Sequence, residues 1–197
     1  YLMKDRDTKL WFEQVNDLLF HYRYAPNANY ASQQSEIYGS LGSFGTGCLF
    51  VDGLAGGKGF RYKAVFLGEV YFVENHQGII DTVYRCFTMT TRQIVQKWGD
   101  KAPAKIKEEL REKPENEHEI VQCVHPRSDR DPYRADYKGM AFESLYICKS
   151  TKELISEGGY RTMPYIVSRY TTIPGENYGR SPAMDVLPAI KTLNEEK

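Results

Sequence analysis

One stretch near the end of the chain carries most of its structural information: Pro174-Gly-Glu-Asn-Tyr178-Gly-Arg-Ser-Pro182-Ala-Met-Asp-Val-Leu-Pro188-Ala-Ile-Lys-Thr-Leu-Asn194. Pro174-Gly175 predicts a tight turn. Ser181-Pro182 predicts the start of a helix, because serine caps the first turn and proline suits the first helical position. An apolar residue then recurs every three residues, at Met184, Leu187, Ile190 and Leu193. This stripe predicts a helix with one apolar face.

Two residues of this stretch carry predictions of their own. Pro188 stands six residues into the helix and removes one backbone hydrogen bond, so it predicts a kink or a restart at Leu187-Pro188. Gly179 lies between a turn and a helix cap, where a positive φ angle is easy only for glycine. We therefore expect a positive φ angle there.

Neither end of the sequence has the signals that usually bound a domain. The last helix reaches Glu195-Glu-Lys197 with no glycine or proline to end it, and the chain begins at Tyr1 rather than at methionine. We expect a piece of a larger polypeptide.

Length and composition allow one full core and exclude several classes of protein. The 197 residues carry 26 basic and 26 acidic side chains, and this balance weighs against a regulator that binds nucleic acid tightly. No run approaches the ~20 apolar residues of a membrane span. The four cysteines are too far apart for the close pairs of a zinc site, and we expect buried free thiols at Cys48, Cys86, Cys123 and Cys148.

The first third of the chain begins with a predicted helical hairpin. A helical apolar face predicts the first helix from about Asp7 to Arg23, and Asn29 or Ser32 can cap the second. Glycine recurs every three residues in the second helix, at Gly39, Gly42 and Gly45. Because each glycine weakens a helix, we expect the backbone of a neighbouring element to approach there.

The middle of the chain has the alternation of antiparallel strands. The predicted strands are Cys48–Val51, Phe60–Phe66, Val70–Val73, Ile79–Phe87, His118–His125, Met140–Lys149, Glu153–Ser156 and Met163–Thr171. The first four strands are predicted to form an antiparallel meander. Two short helices, Arg92–Trp98 and Ala104–Lys113, lie between the fourth and fifth strands. The predicted class is α+β: an antiparallel sheet or sandwich flanked by the helical hairpin, the two short middle helices and the C-terminal helix.

No segment of the sequence has a strong motif for catalysis, phosphate binding or metal binding. Gly53–Gly59 lacks the spacing of a phosphate loop and joins two strands, so a hairpin turn is the better interpretation. His125, Asp129 and Asp131 suit a divalent metal, but neighbouring arginines would pair with those carboxylates, which favours a charged, solvated loop from Pro126 to Lys138. His21 and His118 have no partner nearby in the sequence. We predict no catalytic residue, cofactor or metal.

The order of several motifs resembles the head-to-tail connecting, or portal, proteins of short-tailed double-stranded DNA bacteriophages. The matching segments are Tyr178–Pro182, Leu187-Pro188, Lys191–Asn194, Gly42–Leu49, Gly78–Thr90 and Met163–Tyr170. The family often has tryptophan where Tyr170 stands. The similarity runs from about Ser35 to the end of the chain.

The resemblance implies a structural, non-enzymatic protein of the virion, at the portal vertex. It implies a wing-like α+β domain over residues 1–180 and the beginning of a stem helix over 181–197. The family forms rings of about a dozen copies around a DNA channel. Its partners are double-stranded DNA, the capsid, tail proteins and the packaging motor. Assembly takes place in the cytoplasm of a bacterial host, and the gene can belong to a prophage.

Three residues are candidates for a subunit interface or the channel: Tyr178, Arg180 and Lys191. Arg180 precedes a helix start, where a cation is unfavourable. We therefore expect it to pair with a carboxylate across a domain or subunit boundary, or to meet DNA phosphate. Two alternatives stay open: a phage adaptor or ligand-binding module with a tyrosine-rich face, and a metal-dependent hydrolase using residues 125–131.

Overall fold

The computed structural model describes residues 5–54, 57 and 59–195. The helices are α1 (Arg6–Tyr24), α2 (Tyr30–Phe44), α3 (Thr91–Trp98), α4 (Ala104–Glu109) and α5 (Pro182–Glu195). The strands are β1 (Thr46–Gly53), β2 (Phe60–Val65), β3 (Val70–Glu74), β4 (Ile80–Thr90), β5 (Glu117–Pro126), β6 (Phe142–Cys148), β7 (Glu153–Tyr160) and β8 (Tyr165–Arg169). The predicted α+β class, with antiparallel sheets and flanking helices, is confirmed.

The chain divides into two compact units. The helix–sheet unit runs up to Val65 and resumes at Tyr165, and it contains α1, α2, α5 and a three-stranded sheet of order β2-β1-β8. The meander unit, Phe66–Pro164, contains α3, α4 and a five-stranded sheet of order β3-β4-β5-β6-β7. The expectation that the first four strands form one meander is therefore wrong, because β3 begins the second sheet. A boundary between wing-like domain and stem at residue 180 stays a prediction.

The three-stranded sheet has β1 at its centre. β1 pairs with β2 from Cys48↔Val65 to Gly53↔Phe60, which confirms the hairpin at the glycine-rich segment. Within that segment Ala55, Gly56 and Lys58 lie outside the described residues. The other edge of β1 pairs with β8, from Thr46↔Arg169. The buried apolar side chains of this unit are Ala28, Ile37, Cys48, Leu49, Val65 and Tyr165.

Helix α1 has a polar start and an uncovered apolar face. Asp5 caps it by accepting a hydrogen bond from the Thr8 amide at 3.0 Å. The helix was expected from residue 7 to 23 and is confirmed, but none of its described residues is buried. The exposed large apolar side chains are Leu10, Trp11, Phe12, Leu18, Leu19, Phe20, Tyr22 and Tyr24.

Helix α2 corrects two predictions. Asn29 occupies the cap position with φ +58° but makes no side-chain cap bond, and Ser32 lies inside the helix, so neither side chain caps it. A Cβ atom on Gly39 or Gly42 would meet nothing within 4 Å of the described atoms, so the expected backbone approach is wrong at both. Gly45 does meet a neighbouring segment, and it ends the helix with φ +72°.

The meander unit has its core between the sheet and the two short helices. The buried cluster is Ile94, Ala102, Ile106, Ile120, Cys148 and Ile155. Thr90 caps α3 through a capping box with Gln93, and Gly99 ends it. Helix α4 ends at Glu109, four residues short of the prediction.

The cysteines are all free thiols, but one is not buried. Cys48, Cys123 and Cys148 are buried, whereas Cys86 is exposed on β4. Burial alternates along β4, and Cys86 follows the buried Arg85, so the expectation of burial is wrong there. Among the described residues, no helix is both long and apolar enough to cross a membrane.

Candidate functional site

The predicted site residues belong to the segment that enters α5. Its loop is closed at the base because the amide of Thr171 donates to the Arg180 carbonyl at 3.3 Å and the Arg180 amide donates back at 2.8 Å. At its tip, the Glu176 amide donates to Ile173 O at 3.1 Å, and Gly175 has φ +88°. This is the tight turn predicted from Pro174-Gly175.

Ser181 joins the end of α2 to the start of α5. Its hydroxyl donates to Ser43 O at 2.9 Å and accepts from the Met184 amide at 3.1 Å. The side chain is buried, so both bonds are shielded from water. The predicted serine cap is confirmed, with a second bond that the sequence did not indicate.

Gly179 is required by close packing rather than by its backbone angle. Its φ angle is not positive, so the prediction of a positive angle is wrong. A Cβ atom there would overlap Gly45 O and lie 3.0 Å from Arg169 Cβ. The Gly179 amide donates to the buried Thr46 hydroxyl at 2.8 Å. Only a residue without a side chain therefore fits between β8 and the end of α2.

Arg180 pairs with a carboxylate of its own loop. Its Nε donates to Glu176 Oε2 at 3.0 Å and its Nη2 to Oε1 at 2.6 Å, a bidentate pair. The hydrogen bond from Arg180 lowers the pKa of Glu176 and raises that of the guanidinium. Both side chains are partly exposed, at 50% and 39%. A carboxylate partner was expected, but this local one was not, and a role at a boundary stays a prediction.

Tyr178 lies next to this pair, whereas Lys191 does not. Tyr178 is 41% exposed and lines a shallow cleft of about 410 Å³ with Arg180 and Met184. Lys191 is exposed on α5, about 14 Å along the helix from its first residue at 1.5 Å per residue. The structure therefore brings together two of the three predicted residues.

Helix α5 continues through Pro188. A restart at Leu187-Pro188 is wrong, because one helix runs from Pro182 to Glu195. A kink stays a prediction. None of its described residues is buried, and the predicted stripe is exposed at Met184, Leu187, Ile190 and Leu193.

The residues proposed as metal ligands separate in the structure. Asp129 pairs with Arg127 at 3.3 Å, as the arginine argument predicts, and His125 Nε2 lies 3.5 Å from Glu143 Oε2. Asp131 instead accepts from a backbone amide of its own turn. In the part of the chain that the structure describes, no three histidine, cysteine or acidic residues are grouped to hold a metal ion.

His118 gains partners that are distant in sequence. Its Nε2 lies 3.0 Å from the Thr91 hydroxyl and 3.2 Å from Glu109 Oε2. The ring is buried, and these contacts tie β5 to the start of α3 and the end of α4. They serve packing of the meander unit.

Comparison with known proteins gives a consistent result. Residues 2–197 match the family described as bacteriophage head to tail connecting protein. The chain is 28% identical over 197 residues to a probable portal protein of Bordetella phage BPP-1. It is also 28% identical over 195 residues to a portal protein of Salmonella phage epsilon15. Each match covers 96% of this chain and 34% of the relative, so the chain spans about a third of their length.

Proposed function

We propose that this chain, which belongs to the bacteriophage head to tail connecting protein family, is a structural segment of a phage portal. The observation that carries the proposal is the match to portal proteins along almost the whole chain. In this role copies of the full-length protein form a ring that joins capsid to tail. DNA passes through its channel during packaging and ejection. The role needs no catalytic residue, since a separate motor protein would supply the energy.

The exposed apolar helices support an assembled state. Helix α1 has no buried residue among those described, and α5 exposes its whole stripe. Large apolar surfaces that are left open in one chain usually mark contact sites. A ring of identical subunits needs two different faces on each copy, because each subunit meets its two neighbours through different surfaces. Helices α1 and α5 provide two such faces.

Partners and location follow from this role. The ring would contact capsid, tail and motor proteins at the portal vertex of the virion. It would be assembled in the bacterial cytoplasm, from a phage or prophage gene. Tyr178, Arg180 and Lys191 would then lie at a subunit boundary or the channel wall.

The test is the assembly of the full-length protein. Mass photometry and negative-stain microscopy should show closed rings, and a packaging assay with the motor should require them. A full-length protein that stays monomeric at all concentrations, or that binds a soluble ligand without forming rings, would favour an adaptor module instead.

Arg180→Ala in the full-length protein separates the two roles proposed for that residue. Weaker ring formation with a folded chain supports the subunit boundary, which is the role we favour. Intact rings that have lost only packaging support the channel wall. Unchanged rings and packaging would remove Arg180 from the site.

A further inference from the structure

A cationic cleft lies on the loop between β5 and β6 in the meander unit. It has a volume of about 260 Å³ and is lined by Arg130, Arg134, Arg161 and Asp136, with small and apolar residues completing the wall. Three guanidinium groups against one carboxylate leave a formal charge of +2. The whole chain carries equal numbers of acidic and basic side chains, so this charge is a local concentration.

The loop that forms the cleft is closed by its own backbone. The Arg127 amide donates to Ala141 O at 2.9 Å, and the Asp131 amide donates to Lys138 O at 3.1 Å. A Cβ atom on Gly139 would overlap a facing carbonyl oxygen of the loop, so the two sides touch there. The cleft is therefore formed before any ligand binds.

A buried arginine fixes the loop to the sheet. The side chain of Arg127 is 1% exposed, and its Nη1 donates to Glu157 Oε1 at 3.1 Å. Its Nη2 donates to Gly158 O at 3.0 Å, and its Nη1 also lies 3.6 Å from Glu143 Oε1. These bonds hold the root of the loop on β6 and β7. Arg127 therefore has a structural role below the cleft, and the three lining arginines are the groups that can contact a ligand.

The lining arginines keep donors available. Arg161 is exposed and has no hydrogen bond or ion pair to another described residue. Arg130 uses only Nε, toward Gly139 O at 3.1 Å. Arg134 uses Nε and Nη2 for Asp136. The remaining N–H groups can meet a planar or tetrahedral oxyanion, which guanidinium groups bind in a bidentate manner.

We infer that this cleft binds a phosphate group, and that the phosphate belongs to the backbone of double-stranded DNA. A protein carboxylate is the competing oxyanion. A protein interface usually has an apolar core inside a polar rim. Within residues 127–141, all of which the structure describes, Tyr133 alone is a strongly exposed large apolar side chain, at 99%. The choice of DNA as the source rests on the proposed portal function, whereas the phosphate chemistry rests on the cleft.

The test is the binding of a fluorescein-labelled 20-base-pair duplex to the 197-residue chain, followed by anisotropy at several salt concentrations. Arg161→Gln should weaken binding roughly eightfold at 0.1 M salt and reduce the salt slope by about 0.9, as expected for one lost phosphate contact. Arg130→Gln should act in the same direction. Arg111→Gln is the matched control, because Arg111 is exposed and without a described partner in the same unit but does not line the cleft.

Each outcome has a clear meaning. Loss of affinity in Arg161→Gln but not in Arg111→Gln supports the inference. Equal losses in both, or no duplex binding by the chain, overturn it. Displacement of the duplex by a polyglutamate peptide but not by excess inorganic phosphate points to a protein carboxylate, and equal affinity for inorganic phosphate and duplex points to free phosphate; both overturn DNA as the source. Ring formation by the full-length Arg161→Gln protein tests the portal role separately, since the cleft can fail while the ring still forms.

Discussion

Two residues at the entry to α5, Ser181 and Gly179, also contact the end of α2. The Ser181 hydroxyl bonds to backbone atoms of both α2 and α5, and Gly179 packs so closely against Gly45 O that a side chain would not fit. Arg180 and Glu176 hold the loop on the solvent side. A short segment thus orients α5 on α2 through polar contacts, because none of the described residues of α5 is buried.

Ser181→Ala should destabilise the chain by about 1–3 kcal/mol. The change removes the cap of α5 and leaves Ser43 O without its buried donor. Urea unfolding of the 197-residue chain measures the difference. Ser35→Ala is the control, since Ser35 is exposed on α2 and should stay within about 0.5 kcal/mol. Equal midpoints for the two variants would show that the double contact contributes nothing.

The Glu176–Arg180 pair predicts a shifted titration. Because the hydrogen bond from Arg180 lowers the pKa of Glu176 in the folded chain, the pair stabilises the fold above the usual glutamate range. That contribution is lost as the pH falls through the lowered value. In a carboxyl NMR titration, Glu176 should titrate below 4.5 in the parent and return toward 4.5 in Arg180→Gln. An unchanged midpoint in the variant would mean that the pair is not formed in solution.

At the scale of elements, Pro188 is the feature most open to test. It lies inside α5 and has no amide hydrogen to donate to Met184 O. Pro188→Ala should raise the helical circular dichroism signal of the isolated chain and leave its unfolding midpoint equal or higher. In the full-length protein the same change should disturb ring formation, because a straighter helix redirects the apolar stripe. Normal rings with a straightened helix would separate Pro188 from assembly.

Elements that depend on residues close together in the sequence were predictable, whereas elements that depend on distant segments were not. The start of α5 and the capping box of α3 rest on residues three positions apart, and both were predictable. The pairing of β8 with β1 joins segments more than a hundred residues apart, and no local pattern encodes it. The predictions for Gly39 and Gly42 were wrong for the same reason, because the spacing of glycines does not show which segment packs against the helix.

The candidate site shows the same limit. The turn and the serine cap were predictable from local chemistry, whereas the role of Gly179 depends on Gly45, far away in sequence. The Glu176–Arg180 pair had a visible signal in its spacing of four residues, but that spacing is informative mainly inside helices. The arginines of the cleft converge only because the loop folds back on itself and β7 ends beside it.

At the scale of the whole molecule, the two open apolar helices predict the symmetry of assembly. If α1 of one copy packs against α5 of the next, the contact is heterologous, and blocking either face stops ring closure. Leu18 and Leu187 are exposed at 54% and 47%, so a charge at either position should leave the isolated chain folded. An isologous contact between two α1 helices would respond only to the change at Leu18.

Leu18→Glu and Leu187→Glu in the full-length protein should therefore each abolish rings, because a buried charge without a partner opposes the contact. Mixed together, the two variants should form pairs and no rings, since each retains one intact face that fits the other's intact face. Mass photometry counts these species directly. Asn16→Glu and Thr192→Glu are the controls, because at 3.6 residues per turn these exposed positions lie about 160° around α1 from Leu18 and about 140° around α5 from Leu187, and both should form normal rings. Complete rings from the mixture, or from either variant alone, would show that α1 and α5 do not meet between neighbours, and that other parts of the full-length protein cover these faces.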